Sequence, residues 1–165
     1  LDIRTSDNYI VLSDGNGNPK VVVDDSGTTR LMTSNNAGNG IAINSKYYAG
    51  LSNNSTVYAT LTHTTTWTNF IVEIEWVSKN IPATQFSVFS AKRYISMSNG
   101  NVAVNNTINT DFVIGSSLAV TGSTNTITFA ITNTAGSSVY GTYSVFVRAV
   151  GTDGAVSTKS TISFS

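Results

Sequence analysis

The sequence has no cysteine, a single histidine and few charges: nine Lys or Arg and nine Asp or Glu among 165 residues. The absence of cysteine excludes disulfides, thiol catalysis and thiolate metal sites. Because the formal charge is zero, the chain lacks the basic excess that nucleic acid or anionic lipid attracts. No apolar run approaches the ~20 residues that cross a membrane as a helix. We therefore expect no nucleic-acid partner and no membrane insertion.

What the chain does contain is 22 Ser, 24 Thr and 18 Asn, together 64 of 165 residues. Thr suits pleated strands, while Asn, Ser and Gly suit the turns between them. Hydrophobic residues make up 40% of the chain, which is enough for a core. The chain starts at Leu1 without a methionine, which we interpret as a piece of a longer protein. This composition predicts a β-protein of one ordinary domain, or a small domain plus an appendage.

Residues 1–45 alternate very short apolar runs with dense turn signals. Apolar centres recur at intervals of about ten residues, which is the spacing of a strand–turn meander. Strands this short bury little on their own, and the continuous run Val21-Val22-Val23 suggests covering on both faces. We therefore predict that residues 1–45 form a β-rich stem that packs against other copies of the chain, most simply as a homotrimer.

Residues 46–165 show longer runs in which apolar and polar residues alternate, as in strands with one buried face. Val57, Ala59 and Leu61 share one side of a strand, and the lone His63 extends that side. The strongest strand places Phe70, Val72, Ile74 and Trp76 opposite Glu73 and Glu75. Similar alternation follows at 127–131 and 143–149. This pattern predicts an antiparallel β-sandwich head, jelly-roll-like, over residues 46–165.

Two acidic patterns could carry chemistry. The run Asp14-Gly15-Asn16-Gly17-Asn18-Pro19, with Asp25 at the twelfth position, is similar to a calcium loop. Pro19 stands where that loop needs glycine, so a plain hairpin turn is the stronger interpretation, and we predict no metal site.

The second acidic pattern is Glu73 and Glu75, the only glutamates, which lie about 7 Å apart on one side of a strand. That separation is close to the one used by glycosidases. A jelly-roll enzyme that degrades glycans is therefore an alternative function, although a solvated strand face explains the pair equally well.

A third group of residues could bind a ligand. Aromatic side chains stack on sugar rings, and hydroxyl or amide side chains bond to sugar hydroxyls. Such residues cluster between 46 and 70, and Lys92-Arg93-Tyr94 adds two cations beside an aromatic ring. The alternatives are that Tyr47 and Trp67 cap the core or lie at a subunit contact, and that residues 92–94 form a solvated turn between strands. The candidate ligand-binding residues are Tyr47, Tyr48, His63, Trp67, Arg93 and Tyr94.

The stretches Asp7-Asn8-Tyr9-Ile10-Val11-Leu12-Ser13-Asp14-Gly15-Asn16-Gly17-Asn18-Pro19 and Val23-Asp24-Asp25-Ser26-Gly27-Thr28 resemble the stems of viral fibres. Bacteriophage tail fibres carry short strands punctuated by Asp-Gly, Asn-Gly and Asp-Ser-Gly turns. The rest of the chain then resembles the receptor-binding tip of such a fibre. This resemblance implies host attachment at the virion surface.

A second, weaker resemblance covers about residues 67–105. The stretches Trp67 to Val77, Phe86 to Ser90 and Tyr94 to Gly100 are similar to laminin-G or concanavalin-like jelly rolls, which often bind glycans. Both resemblances imply recognition and not catalysis. We therefore predict a non-enzymatic domain without a cofactor that binds a host receptor, with a glycan as the expected ligand. A purely structural fibre-assembly module is a further alternative.

Overall fold

The computed structural model of the chain describes residues 2–6, 9–16, 19–32, 40–63, 67–80, 86–98, 101–105, 110–111, 115–149 and 160–165. In these ranges the chain forms fourteen β-strands and no helix. The strands are β1 (Asp2–Ser6), β2 (Tyr9–Ser13), β3 (Pro19–Val23), β4 (Thr29–Met32), β5 (Gly40–Leu51), β6 (Thr56–His63), β7 (Trp67–Asn80), β8 (Phe86–Ser98), β9 (Asn101–Asn105), β10 (Thr110–Asp111), β11 (Ser116–Ser123), β12 (Thr126–Asn133), β13 (Val139–Ala149) and β14 (Ser160–Phe164).

The strands form two antiparallel sheets. The large sheet has ten strands in the order β1-β2-β3-β4-β5-β13-β7-β8-β10, with β9 paired to β8. The small sheet has four strands in the order β11-β12-β6-β14. Strand β13 lies between β5 and β7, so the middle of the large sheet joins segments that are far apart in the chain.

The core lies between the two sheets and takes its side chains from one face of each. The small sheet contributes Leu61 and Phe129, and the large sheet contributes Trp76 and Tyr143, each at most 1% exposed. The alternation predicted for residues 57–63, 70–76 and 127–131 is confirmed, because the predicted apolar side is buried in each case. The alternation predicted for 143–149 is confirmed as far as Val147, and the side chain of Ala149 lies outside the described residues. The chain is an all-β protein with two packed antiparallel sheets, as the sequence predicted.

Strands β1 to β4 form a meander that continues directly into β5. Strand β4 pairs with β5 from Thr29 opposite Ile43 to Met32 opposite Gly40, and β5 crosses residue 45 without interruption. Val22 is only 8% exposed, so a single chain buries it unaided, contrary to the expectation that it needs other copies. Val21 and Val23, on the opposite side of β3, are only half-buried. The division into stem and head at residue 45 stays a prediction.

A buried polar cluster holds the β3–β4 turn. The Ser26 and Thr28 amides each donate to Asp24 Oδ1 at 3.0 Å, and Arg30 Nη2 donates to Asp24 Oδ2. The side chains of Asp24 and Arg30 are 1% and 6% exposed. Gly27 closes the turn with φ +81°, a conformation that favours glycine. Because both charges have a partner, this cluster can be buried at acceptable cost.

The same cluster connects the turn to the small sheet. Thr28 Oγ1 donates to the Ile162 carbonyl at 2.9 Å and accepts from the Ile162 amide at 3.0 Å. Asn44 Nδ2 donates to the Ile162 carbonyl at 2.7 Å and to the Ser26 carbonyl at 2.9 Å. Arg30 also reaches Thr161 Oγ1 at 3.3 Å. Polar side chains thus continue the contact between the two sheets where the apolar core ends.

A second buried amide connects two loops at another place in the sandwich. Asn133, which is 1% exposed, donates from Nδ2 to the carbonyls of Leu51 (3.0 Å), Ser52 (3.1 Å) and Ser137 (2.9 Å). Its Oδ1 accepts from the Ala135 amide at 3.0 Å. One side chain therefore satisfies backbone groups of both the β5–β6 turn and the β12–β13 loop.

Tyr143 lies at the centre of the core, where its ring contacts Trp76 and Phe164 edge-on at 6.3 and 5.3 Å between ring centroids. Its hydroxyl donates to the Phe129 carbonyl at 3.1 Å, across the two sheets. Burial, followed by the nearby Tyr48 phenol, raises the pKa of Tyr143 far above the usual value of 10.0. The phenol therefore stays protonated in the folded chain.

This raised pKa predicts that the protein loses stability in alkaline solution. The phenol ionises near pH 10 only in the unfolded chain. Its contribution to the free energy of unfolding is therefore fully present below pH 10, and decreases above pH 10 by up to about 1.4 kcal/mol per pH unit. Between pH 9 and 11 we expect the wild type to lose about 1 kcal/mol more than Tyr143→Phe, measured by urea unfolding at each pH. Equal losses in the two proteins would contradict the prediction.

Candidate functional site

The large sheet has a second face, which points away from the small sheet. Residues directly opposite each other on paired antiparallel strands share a face. The strand register therefore places on this outer face the residues Ile10, Leu12, Val21, Val23, Leu31, Ile41, Ile43, Phe146, Ile71 and Tyr94, and further along the strands Ser144, Glu75, Tyr47, Thr142 and Val77.

One part of the outer face is mainly apolar. We call its apolar residues the apolar half: Ile10, Leu12, Val21, Val23, Leu31, Ile41, Ile43, Ile71 and Phe146. Thr29, Arg148 and Glu73 lie in the same rows. Ile10 is 52% exposed and Leu31 is 39% exposed. A depression of about 230 Å³ lies where β5, β13 and β7 meet, and its lining is Ile41, Ile43, Ile71, Phe146, Val147, Glu73 and Arg148. An apolar surface that spans several strands is more often a contact surface than a solvated one.

A row of small polar side chains ends the apolar half. Ser144 on β13 is directly opposite Ser45 on β5 and Glu75 on β7, and Glu75 is opposite Ser90 on β8. We call these four residues the polar row. The row separates the apolar half from the rest of the outer face.

Beyond the polar row lies the aromatic end, formed by Tyr47, Val77, Lys79, Tyr140 and Thr142. Tyr47 is 60% exposed and Val77 is 50% exposed. The register places Thr142 between Tyr47 and Val77, and Tyr140 beside Lys79. Together with Ser78 and Gly141, these residues line an open depression of about 230 Å³. The aromatic end offers two phenol rings and a hydroxyl to a ligand.

The two adjacent candidates Tyr47 and Tyr48 lie on opposite faces of β5, and only Tyr47 is on the outer face. The Tyr48 ring lies 6.2 Å from the Trp76 ring, beneath Lys46 Nζ at 5.2 Å, and its hydroxyl donates to the Ser165 carbonyl at 3.3 Å. Burial raises the pKa of Tyr48. Tyr48 therefore closes one edge of the core, a role that the sequence suggested as an alternative for Tyr47 and Trp67 but not for Tyr48.

The remaining candidates do not join Tyr47 in one site. His63 is 0% exposed and lies edge-on to Phe70, with 4.9 Å between ring centroids, so a surface ligand cannot reach it. Arg93 is half-buried on the inner side of β8, opposite the buried Val72. Tyr94 is 40% exposed on the outer face, but six residues along β7, or about 20 Å, separate its row from that of Tyr47.

Trp67, the last candidate, begins β7 opposite Ser98, and its side chain lies outside the described residues. Residues 92–94, for which a turn was an alternative, are part of the continuous strand β8. Residues 46–48 lie inside β5, which ends at Leu51 just before the turn at residues 53–54.

The two glutamates are exposed on the outer face, as predicted. Glu73 Oε1 lies 2.9 Å from Lys92 Nζ on the adjacent strand, and the Glu73 side chain is 49% exposed. Glu75 belongs to the polar row. Two carboxylates on an open strand face, one of them paired to a lysine, resemble a solvated surface more than an acid–base pair in a cleft.

The Asp14 segment has the contacts of a turn. Asp14 Oδ1 accepts from the Asn16 amide at 2.9 Å, and Asp14 Oδ2 lies 3.4 Å from Lys20 Nζ. Gly17 and Asn18 lie outside the described residues. Among the described residues, no group of three or more His, Cys, Asp or Glu side chains could hold a metal ion.

Four members of the aromatic end were not predicted from the sequence: Val77, Lys79, Tyr140 and Thr142. The alternation of β7 and β13 contained the signal, since residues of the opposite parity to Trp76 and Tyr143 must point outward. What the alternation does not reveal is that β13 pairs with both β5 and β7, and only this pairing brings Tyr47, Thr142 and Val77 together.

Comparison of the chain with models of known protein families, with curated proteins and with solved structures finds no match. In the described part of the chain, no helix is present that could cross a membrane. The functional interpretation therefore depends on the geometry of the two sheets and on the sequence.

Proposed function

We propose that this chain is a non-enzymatic attachment domain of a viral or bacteriophage fibre, that it binds a host surface glycan, and that it works as a homotrimer at the virion surface. The observation that carries the proposal is the 60% exposure of Tyr47 within the depression of the aromatic end. A phenol ring that is exposed on a rigid strand can stack on a sugar ring without first leaving a packed position.

The neighbours of Tyr47 support a glycan as the ligand. Thr142 and Tyr140 add hydroxyl groups at the same depression, which Lys79 also lines. The side chains come from β5, β13 and β7, which are held by the ladders of the large sheet. A site on paired strands needs little ordering when a ligand binds. The depression is shallow, so we expect weak single-site affinity that repetition in a trimer raises through avidity.

Glycan binding is tested on a glycan array, followed by titration calorimetry of a hit with the monovalent sugar. We expect Tyr47→Ala to weaken binding by about tenfold or more, equivalent to ~1.4 kcal/mol. Tyr58→Ala is the matched control, because Tyr58 is also exposed (42%) on a strand but belongs to the small sheet. We expect the control to bind like the wild type.

Two results would contradict the proposal. Equal loss of affinity in Tyr47→Ala and Tyr58→Ala would remove the aromatic end as the site. Absence of any glycan hit, in a protein that still forms a stable oligomer, would favour the purely structural fibre module. The glycosidase alternative gains no support from the geometry of Glu73 and Glu75, and hydrolysis of a polysaccharide that Glu75→Gln abolishes would be needed to restore it.

A further inference from the structure

The apolar half of the outer face is a broad surface that the described part of the chain leaves without a cover. Its members come from six adjacent strands, β2, β3, β4, β5, β13 and β7, and the only polar or charged residues that the described ranges place among them are Thr29, Arg148 and Glu73. Ile10 (52%) and Leu31 (39%) are exposed, and the other members are half-buried. The other face of the large sheet is already covered, by the small sheet and the Asp24 cluster.

We infer that other copies of the same chain cover the apolar half, so that the homo-oligomer is built through this face. This inference rests on the proposed homo-oligomer but not on glycan binding. The physical reason differs from the one that the sequence suggested, since the short strands as such do not need other copies: Val22 is buried within one chain. A partner is needed because of the apolar side chains on the outer face, such as Val21 and Leu31, which lie directly opposite each other on β3 and β4.

The charges around the apolar half favour a second copy of the chain over a partner whose surface carries charges of a single sign. Two anions and two cations lie on the outer face: Arg148 between Ile41 and Ile71, Glu73 beside Phe146, and Lys92 and Glu75 at the border of the apolar half. Glu73 and Lys92 already form an ion pair. Arg148 and Glu75 are both exposed, and their rows are four residues, or about 13 Å, apart along the strands. In a closed ring each copy presents its Glu75 to Arg148 of the next copy, so that opposite charges meet at every interface of the homotrimer.

The layout of the face allows assembly and ligand binding together. The polar row lies between the apolar half and the aromatic end, and its small serines mark the edge of the apolar surface. An interface that buries the apolar half therefore leaves Tyr47 and Tyr140 open. Each copy in the oligomer then keeps a ligand depression of its own.

Sedimentation velocity between about 1 and 100 μM tests the inference. We expect the wild type to sediment as an oligomer, and Leu31→Lys to sediment as a monomer or to need about a tenfold higher concentration to assemble. Leu31 is exposed in the single chain, so lysine there leaves the core intact, and an unchanged thermal midpoint of the monomer would show this. Tyr58→Lys, the same kind of change on the outer face of the small sheet, should assemble like the wild type.

A charge exchange tests the same face without changing an apolar residue. We expect Arg148→Glu to weaken assembly, because the introduced carboxylate then lies against Glu75 of the neighbouring copy. We expect the double variant Arg148→Glu with Glu75→Arg to restore assembly, since the two charges are exchanged and the attraction returns. Failure of the double variant to recover, after the single variant has lost assembly, would overturn the contact between these residues.

The outcomes separate the inference from the proposed function. A wild type that is monomeric at about 100 μM, or a Leu31→Lys variant that assembles as well as Tyr58→Lys, overturns the inference. A dimer that Leu31→Lys dissociates supports the face and contradicts the trimer. If Leu31→Lys is monomeric and still binds a glycan through Tyr47, both the assembly face and the separate ligand site are supported. If Tyr47→Ala loses glycan binding but still assembles, the conclusion on assembly does not change.

Discussion

Replacing Asp24 with alanine is expected to lower the free energy of unfolding by about 3–5 kcal/mol, the range found when one partner of a buried ion pair is removed. The change leaves the guanidinium of Arg30 buried without its carboxylate, and removes the acceptor of the Ser26 and Thr28 amides. Urea unfolding followed by tryptophan fluorescence measures the loss, with Trp76 as a reporter inside the core.

The adjacent residue supplies the matched control for this prediction. Asp25 lies in the same turn but is exposed, so Asp25→Ala should change stability by less than about 0.5 kcal/mol. The double variant Asp24→Ala with Arg30→Met removes both charges, and we expect it to be more stable than Asp24→Ala alone because no unpaired charge is left buried. Equal stability of Asp24→Ala and Asp25→Ala would show that the cluster contributes nothing to the fold.

Asn133→Ala is the second large effect that we expect, a loss of about 2–4 kcal/mol. The substitution removes the donor shared by the carbonyls of Leu51, Ser52 and Ser137 and the acceptor of the Ala135 amide. Each buried polar group left without a partner costs about 1–3 kcal/mol, reduced here where water can reach the loop backbone. The loss is measured by urea unfolding at pH 7.

Two further variants show whether hydrogen bonding is the cause. Asn53→Ala removes a single exposed bond, from the Gly136 amide to Asn53 Oδ1 at 3.0 Å, and should cost about 1 kcal/mol or less. Asn133→Asp keeps the shape and the acceptor but turns a second acceptor toward the carbonyls, so it should be at least as destabilising as Asn133→Ala. A mild effect of Asn133→Asp would point to side-chain volume and not to the lost donor.

The faces of the strands could be predicted from the sequence because side chains alternate with a period of two, which is a local property. The alternation at Phe70, Val72, Ile74 and Trp76 therefore identified the buried side correctly. The same rule places Tyr47 and Tyr48 on opposite faces of β5, but it does not show which strand pairs with β5. Here the pairing with β13 decides the structure, and composition does not reveal that pairing.

The buried polar cluster could not be predicted because its members are distant in the chain. Asp24, Ser26 and Gly27 look like an ordinary turn, and Asp14 has a similar setting in sequence but remains close to solvent with Lys20. The two turns differ because only the second is bound by β14. The Ile162 carbonyl of β14 accepts a hydrogen bond from Thr28, although the two residues are 134 positions apart in the chain. The aromatic end was only partly predicted for the same reason, since Tyr47 and its neighbours on β13 are distant in sequence.

The hydrogen bond between Thr28 and Ile162 also determines when the sandwich can be completed during translation. A ribosome that adds about 5–20 residues per second delivers Ile162 about 7–27 s after Thr28. During that interval the nascent chain can form its early hairpins, but the hydroxyl of Thr28 and the amide of Asn44 lack the backbone that they bind in the finished protein. A product of interrupted translation therefore exposes an unpaired edge of the sandwich to chaperones and proteases. Only chains that are translated through β14 can complete the contact between the two sheets.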